Sequence, residues 1–553
     1  MRSKFISYLV LFTCLFSLSV NGQDKIIDLM RSELTSQMET LQGGDYPPYF
    51  MSYRVTESNN VSIRANLGCI VNYSGQKQRI FVPQIRIGST DFDNFNDLQN
   101  GSASNQTVLL PINNDGFEDS FREIFREEVN SRYLFAVNSL EGAVAKKGVK
   151  TRRSDSAPDY SSAKAEKYYE PPVTIDLDVD KWKDKLRRFS KIFAENKDLY
   201  SGTVSLTYDV IRKYYVSTEG AEIAENRPYV MLSINAEAMA DDGMQLPLHQ
   251  NYFAFSISDL PTDATIIKDI KAMSSKLSQL KQAPLVQPYT GPAILSGSAS
   301  GVFFHEIFGH RIEGQKMKSD QDGQTFKSMV GQSVLPSSLH VYDDPTMKEY
   351  GGTYLNGFYI FDEQGVRGDR VEVVKDGILR NFLMTRTPLD GFPSSNGHAR
   401  ADMVNDPTSR QSNLLIETTD SRSESELRRL LIEEAKKQGK EYGYYFKKVT
   451  GGFTQISSTT VNSFNVTPLE VYKVFVDGRK DELVRGVDII GTPLSMFSNI
   501  IYAGGDPEVF TGTCGASSGN IPVTAISPTI LVNKVELQRK PQPSNIPPIL
   551  PRY

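Results

Sequence analysis

The chain is sparing with the residues that bind metals and cross-link backbones: 553 residues hold five histidines, three cysteines and one tryptophan. So few cysteines cannot staple a mini-domain, and any cluster among the histidines is informative. There is no basic excess either, with 61 Lys and Arg against 66 Asp and Glu and a formal charge of −5. That balance gives no nucleic-acid-binding face. Past the first twenty residues no stretch approaches ~18 uninterrupted apolar residues, so no stable membrane insertion is expected. No internal repeat occurs. What remains is an ordinary globular composition, 39% hydrophobic, 23% charged and 10% aromatic, long enough for roughly two to four domains.

The start of the chain reads as a targeting segment. Arg2 and Lys4 precede an apolar run from Ile6 to Val20, and Val20-Asn21-Gly22 forms a plausible cleavage site. Residues 1–22 are therefore expected to be a signal peptide, with an uncleaved anchor as the alternative. The protein is expected to be exported, to a periplasm or the extracellular space. Cys14 lies inside the apolar run, leaving Cys69 and Cys514, which could pair in an oxidising compartment.

Periodicity divides the remainder. Ile26, Ile27, Met30, Leu34, Met38 and Leu41 recur at helical spacing, predicting a helix over 25–42. Short Tyr-, Val- and Ile-rich runs predict strands over 49–87, then a charged helix over 119–150. Residues 151–172, rich in Ser, Lys and Tyr, read as an exposed connection. A helix over 180–196 carries Trp182, strands occupy 201–257, and a helix over 262–281 starts at Thr262 and stops at Pro284. Pro284, Pro288 and Pro292 mark a boundary. Beyond it the pattern is short strands with glycine turns and one helix over 425–437. The expectation is an α+β chain: an N-terminal α/β domain over 23–285, a β-rich domain over 286–538, and a proline-rich tail over 539–553.

One segment demands a chemical reading. His305-Glu306-Ile307-Phe308-Gly309-His310 places two of the five histidines around a glutamate, inside the apolar frame of Val302, Phe303, Phe304, Ile307 and Phe308. A buried helix is expected, capped by Ser298 or Ser300. Imidazole and carboxylate groups are costly to bury unless something satisfies them, and a metal ion does so. The common zinc-peptidase helix has its histidines at i and i+4, about 40° apart around the axis, whereas i and i+5 lie about 140° apart. Gly309 offers a remedy, a wide turn or helix end that swings His310 back toward His305. Cys514 is the best third ligand, in the glycine-framed turn Thr511-Gly512-Thr513-Cys514-Gly515. Its alternatives are a small buried thiol or half a disulfide. A His/His/Cys set with one open position would activate water, with Glu306 as general base.

These motifs resemble the TldD/PmbA family of metallopeptidases, whose active members carry His-Glu-x-x-x-His and a C-terminal Gly-x-Cys-Gly turn. Here they are matched by His305 to His310 and by Gly512 to Gly515. Pro292-Ala293-Ile294-Leu295, Gly301-Val302 and Glu313-Gly314 surround the first motif. Asp343 to Met347, Phe361 to Gly365, Asn396 to Arg400, Arg410, Asn413, Gly451-Gly452 and Ile521-Pro522-Val523 follow in order. The resemblance is strongest over 290–535. It implies an N-terminal α/β domain, a β-rich C-terminal domain, a homodimer or a heterodimer with a paralogue, and cleavage of unfolded or short peptides. Carried over by residue, it implies one zinc per chain held by His305, His310 and Cys514, with Glu306 as base. The export signal, the 151–172 stretch and the proline tail depart from the family pattern.

The other candidates are weaker. His340 and His398 read as loop histidines, His398 being the better candidate for contacting substrate. Arg410 could orient a substrate carbonyl or carboxylate, or form an ordinary salt bridge. Two other functions compete with the zinc peptidase: a catalytically silent partner of an active paralogue, and a structural zinc site closed by a fourth ligand such as His398.

Overall fold

A computed structural model describes residues 24–96, 107–113, 116–147, 155–318, 326–455, 463–491 and 493–540. The expected signal peptide and all but the first two residues of the proline-rich tail lie outside the described residues. No described helix is long and apolar enough to cross a membrane.

The architecture is α+β, built on two large sheets. The first is seven-stranded, with β1 (Pro48–Asn66), β2 (Cys69–Ile87), β3 (Val108–Leu109), β4 (Lys167–Tyr169), β5 (Leu199–Ser217), β6 (Glu222–Met239) and β7 (Gln245–Ala254). Its order is β3-β2-β1-β5-β6, with β4 and β7 both paired to β6. The region expected as several short strands over 49–87 is instead one hairpin of two 19-residue strands. Asn72, Ser74 and Gly75, which suggested breaks, are exposed positions of β2 where pairing with β1 continues.

Alternation fixes which face of this sheet is apolar. Odd residues of β1 (Met51, Tyr53, Val55, Ile63, Ala65) and even residues of β5 (Val204, Leu206, Val210, Tyr214, Val216) are buried on one side. Four helices cover that side: α1 (Lys25–Leu41) and α2 (Glu118–Lys147) at one end, α3 (Val179–Ala194) and α4 (Asp263–Gln282) at the other. The predicted start of α4 holds, since Thr262 accepts from the Thr265 amide.

The opposite face is polar and meets the second half of the chain. Arg54 donates to the carbonyls of Asp402 and Asn405, and Lys213 to that of Phe361. Residues 155–161 are not an exposed connection. Tyr160 is buried, and the Arg86 and Arg386 guanidiniums lie 3.7 and 4.2 Å from its ring centroid. Cation–π contact to a desolvated ring explains why this Tyr leaves water despite its polar neighbours.

The second sheet is twelve-stranded. Strand β8 (Tyr289–Leu295) pairs in parallel with Tyr442–Gln455 and antiparallel with Gly519–Arg539. Gly519–Arg539 pairs with Val487–Gly491, which pairs with Ser463–Phe475, which returns to Tyr442–Gln455. Five strands thus close into a ring. The strands are longer than the glycine-punctuated sequence suggests, because Ile500–Ala516 and Gly519–Arg539 continue through β-bulges.

Candidate metal centre

Strand β8 delivers the chain directly into helix α5 (Gly297–Ile307), which carries the His-Glu motif. Ser296 caps it by accepting from the Ala299 amide, rather than the expected Ser298 or Ser300. Ser298 already lies within the first turn, and Ser300 is buried against the Ser527 hydroxyl at 2.8 Å. Val302, Phe303, Phe304 and Ile307 are almost fully buried, against Phe497 among others. Burial of such side chains contributes about 1.5–3 kcal/mol each, so the helix is held rigidly.

The i,i+5 spacing is resolved at the helix end. α5 stops at Ile307 and the chain tightens into a 3₁₀ turn over Gly309–Arg311. With the α-helix broken at Phe308, the rings of His305 and His310 come to 5.0 Å between centroids. A Cβ at Gly309 would overlap the Gln411 side-chain amide, so a larger residue there would have to displace that buried side chain. Arg311 donates to the carbonyls of Glu306 (3.0 Å) and Ile307 (2.8 Å), satisfying acceptors that a helix end leaves open.

Cys514 comes from the second sheet, on a strand against which α5 packs. It lies near the end of Ile500–Ala516, opposite Ile521, in a hairpin whose turn closes at Gly519 with φ +86°. Its Sγ is 3.3 Å from His310 Nε2. One ligand atom from each of His305, His310 and Cys514 lies within 4.8 Å of the others. Cys69 is exposed and Cys514 buried, both as free thiols, so the disulfide alternative is not realised.

Glu306 lies 4.0 Å from His310 (Oε2 to Nε2). Burial pushes its pKa up, and the neighbouring imidazoles only partly offset this. For Cys514, burial favours the thiol, yet His310 and His305 outweigh it and hold its pKa well below the ordinary value. For His310, burial opposes charge, but Glu313 and Cys514 push the pKa up to about 9.

Glu313 is the residue that sequence reasoning left without a role. Its Oε1 is 3.2 Å from His310 Nδ1 and 3.7 Å from Arg410 Nε, and Lys316 pairs with its other oxygen. A carboxylate on Nδ1 fixes the ring and leaves Nε2 free for a metal. The i,i+3 placement after His310 was the available signal.

Arg410 and His398 are not in the cleft, which corrects the expectation that they contact substrate. Both are fully buried. Arg410 donates to the Cys514 carbonyl at 2.7 Å and the Ser518 hydroxyl at 2.8 Å. It holds the ligand turn instead of meeting a substrate. His398 has Nε2 3.1 Å from Asp343 Oδ1 and Nδ1 3.0 Å from the Asn396 carbonyl. Both ring nitrogens are engaged away from the triad, so His398 cannot serve as a fourth ligand. His340 sits near Asp376, also remote from the triad.

His305, Glu306, His310 and Cys514 keep 7–9% of their surface exposed, and all four open into one cleft of about 500 Å³. Its walls include Thr450-Gly451-Gly452, Phe510 to Ala516, Lys316 and, from the first sheet, His249 and Asn251.

The profile described as PmbA/TldA metallopeptidase C-terminal domain matches residues 288–539, and that of the central domain matches 172–268. The chain belongs to this family. A metalloprotease of Archaeoglobus fulgidus is 31% identical over 238 residues, covering 43% of this chain and 51% of that protein. The chain thus spans about half the length of that relative. A zinc metalloprotease TldD homolog of Saccharolobus solfataricus is 25% identical over 381 residues, covering 66% of this chain and 78% of its own. The fold is shared with TldE from Thermococcus kodakarensis, at a TM-score of 0.58 and 11% identity, covering 93% of this chain and 99% of that one.

Proposed function

We propose that the chain is a zinc-dependent peptidase for unfolded proteins and short extended peptides, with one zinc held by His305, His310 and Cys514 and with Glu306 as general base. The observation that carries this reading is the convergence of two imidazoles, one thiol and one carboxylate on a single open cleft. Two nitrogens and one sulfur suit zinc, and three protein ligands with one position left open are the catalytic pattern. The depressed pKa of Cys514 favours the thiolate that a metal requires.

When bound, zinc supplies a Lewis acid that polarises a carbonyl and acidifies water. Glu306 takes the proton of the attacking water and passes it to the leaving amine. Its burial suits that shuttle, because raising the carboxyl pKa makes the carboxylate a stronger base. Glu313 and Arg410 keep His310 and the Cys514 turn in place through their hydrogen bonds and charge. The cleft lies between two strand segments, so an extended chain can bond through its main chain while a folded domain is excluded. The basic start and apolar run over residues 2–22 support export as part of the same proposal.

Metal analysis joined to a digestion assay tests this. Purified protein is expected to carry zinc and to cleave an unfolded protein much faster than its folded form. A chelator should abolish cleavage and added zinc restore it. Equal cleavage of both forms, or full activity without metal, overturns the proposal.

A further inference from the structure

The first sheet contributes to the cleft through one strand. β7 pairs only with β6 among the described residues, so it is an edge. Its Leu246 and Leu248 face the helices, which turns His249 and Asn251 to the other face, toward the second half of the chain. Both line the same cleft as His305, Glu306, His310 and Cys514.

Their chemistry is specific. Neither makes a side-chain hydrogen bond to a described residue, although both are partly withdrawn from water. Burial, then the nearby Lys448 charge, lowers the His249 pKa, so its ring is neutral at pH 7. A neutral imidazole offers one donor and one acceptor, and an amide offers both. That pair matches the alternating N–H and C=O groups of a peptide backbone.

We infer that His249 and Asn251 form a peptide-backbone subsite, through which the N-terminal half of the chain grips an extended substrate away from the bond being cut. The inference rests on the peptidase reading for the identity of the substrate. It assigns the two residues to substrate affinity and not to the reaction.

The test uses the zinc-loaded full chain with a labelled extended peptide and a short reporter peptide that spans only the scissile bond. His249→Ala and Asn251→Ala are compared with wild type by fluorescence anisotropy and by turnover. Each is expected to weaken binding of the long peptide and raise its KM by about tenfold. The kcat, the turnover of the short reporter and the zinc content should stay within twofold of wild type. His249→Gln, which keeps a donor and an acceptor, should recover most of the affinity. Unchanged affinity for the long peptide in both alanine variants, or no binding by wild type, overturns the inference. So does an equal loss on both peptides, which would mark a structural disturbance. Failure of the short reporter in wild type, with long-peptide binding still dependent on His249 and Asn251, would instead refute the peptidase reading alone.

Discussion

Arg410 Nη2 donates to the backbone carbonyl of Cys514 at 2.7 Å, across 104 residues of sequence. The same guanidinium reaches the Ser518 hydroxyl and, through Nε, approaches Glu313 at 3.7 Å. One buried cation therefore braces the turn that carries the cysteine and the carboxylate that orients His310. Replacing it tests whether the metal centre is assembled by its surroundings. Arg410→Lys keeps the charge but loses the fork that makes these contacts. Zinc affinity should fall about 10- to 100-fold, as read by competition with a chromophoric chelator. Undiminished affinity would show that the turn holds itself.

Glu313→Gln should weaken zinc binding by a similar about 10- to 100-fold, with part of the activity returning at high zinc. Its charge also has a pH signature. Lys316, His310 and Arg410 overcome the burial of Glu313 and hold its pKa well below the ordinary glutamate value of about 4.5. Its folded pKa is thus the lower one, so its stabilisation is complete above pH 4.5 and is lost as pH falls below that value. Denaturant midpoints measured from pH 6 to pH 3 should fall more steeply for wild type than for Glu313→Gln. Parallel curves would argue against the ion cluster.

Glu306→Gln preserves shape but removes the base. Turnover should drop about 10² to 10⁴-fold, with zinc stoichiometry unchanged because Glu306 is not a ligand. Retained turnover would remove it from the proton transfer. A loss of metal would instead make it a structural neighbour of the histidines.

Cys514→Ser should lower zinc occupancy sharply at limiting metal while the fold persists, since Ser is close in volume. Of Cys69 and Cys514, only Cys69 should react with a thiol reagent in the zinc-loaded wild type, and Cys514 should follow once zinc is chelated. Immediate reaction of both thiols in metal-loaded protein would exclude sulfur ligation.

The triad was legible because its residues are scarce. Five histidines make His305 and His310 conspicuous, and glycines mark the turn around Cys514. Helices with clear apolar stripes, such as Lys25–Leu41, also declared themselves. Residues whose roles depend on tertiary neighbours did not. Whether Arg410 orients a substrate or forms an ordinary salt bridge stays open in the sequence, because an arginine in a polar loop cannot announce that it will be buried behind Cys514. His249 lies in a β-strand pattern like any other, and only the packing of two sheets brings it into the same cleft as His305. Tyr160 was hidden likewise, since two arginines distant in sequence create its environment.

The closing of the five-strand ring also sets a timetable. Cys514 follows His310 by 204 positions, and β8 waits for Gly519–Arg539 to complete one of its two edges. A ribosome adding about 5–20 residues per second takes on the order of 10–40 s to cover that interval. During that time the histidines have been made but their sulfur partner has not. The nascent chain therefore lacks the complete His305, His310 and Cys514 cluster throughout that interval, and the cluster can assemble only once the last strand of the ring has been made.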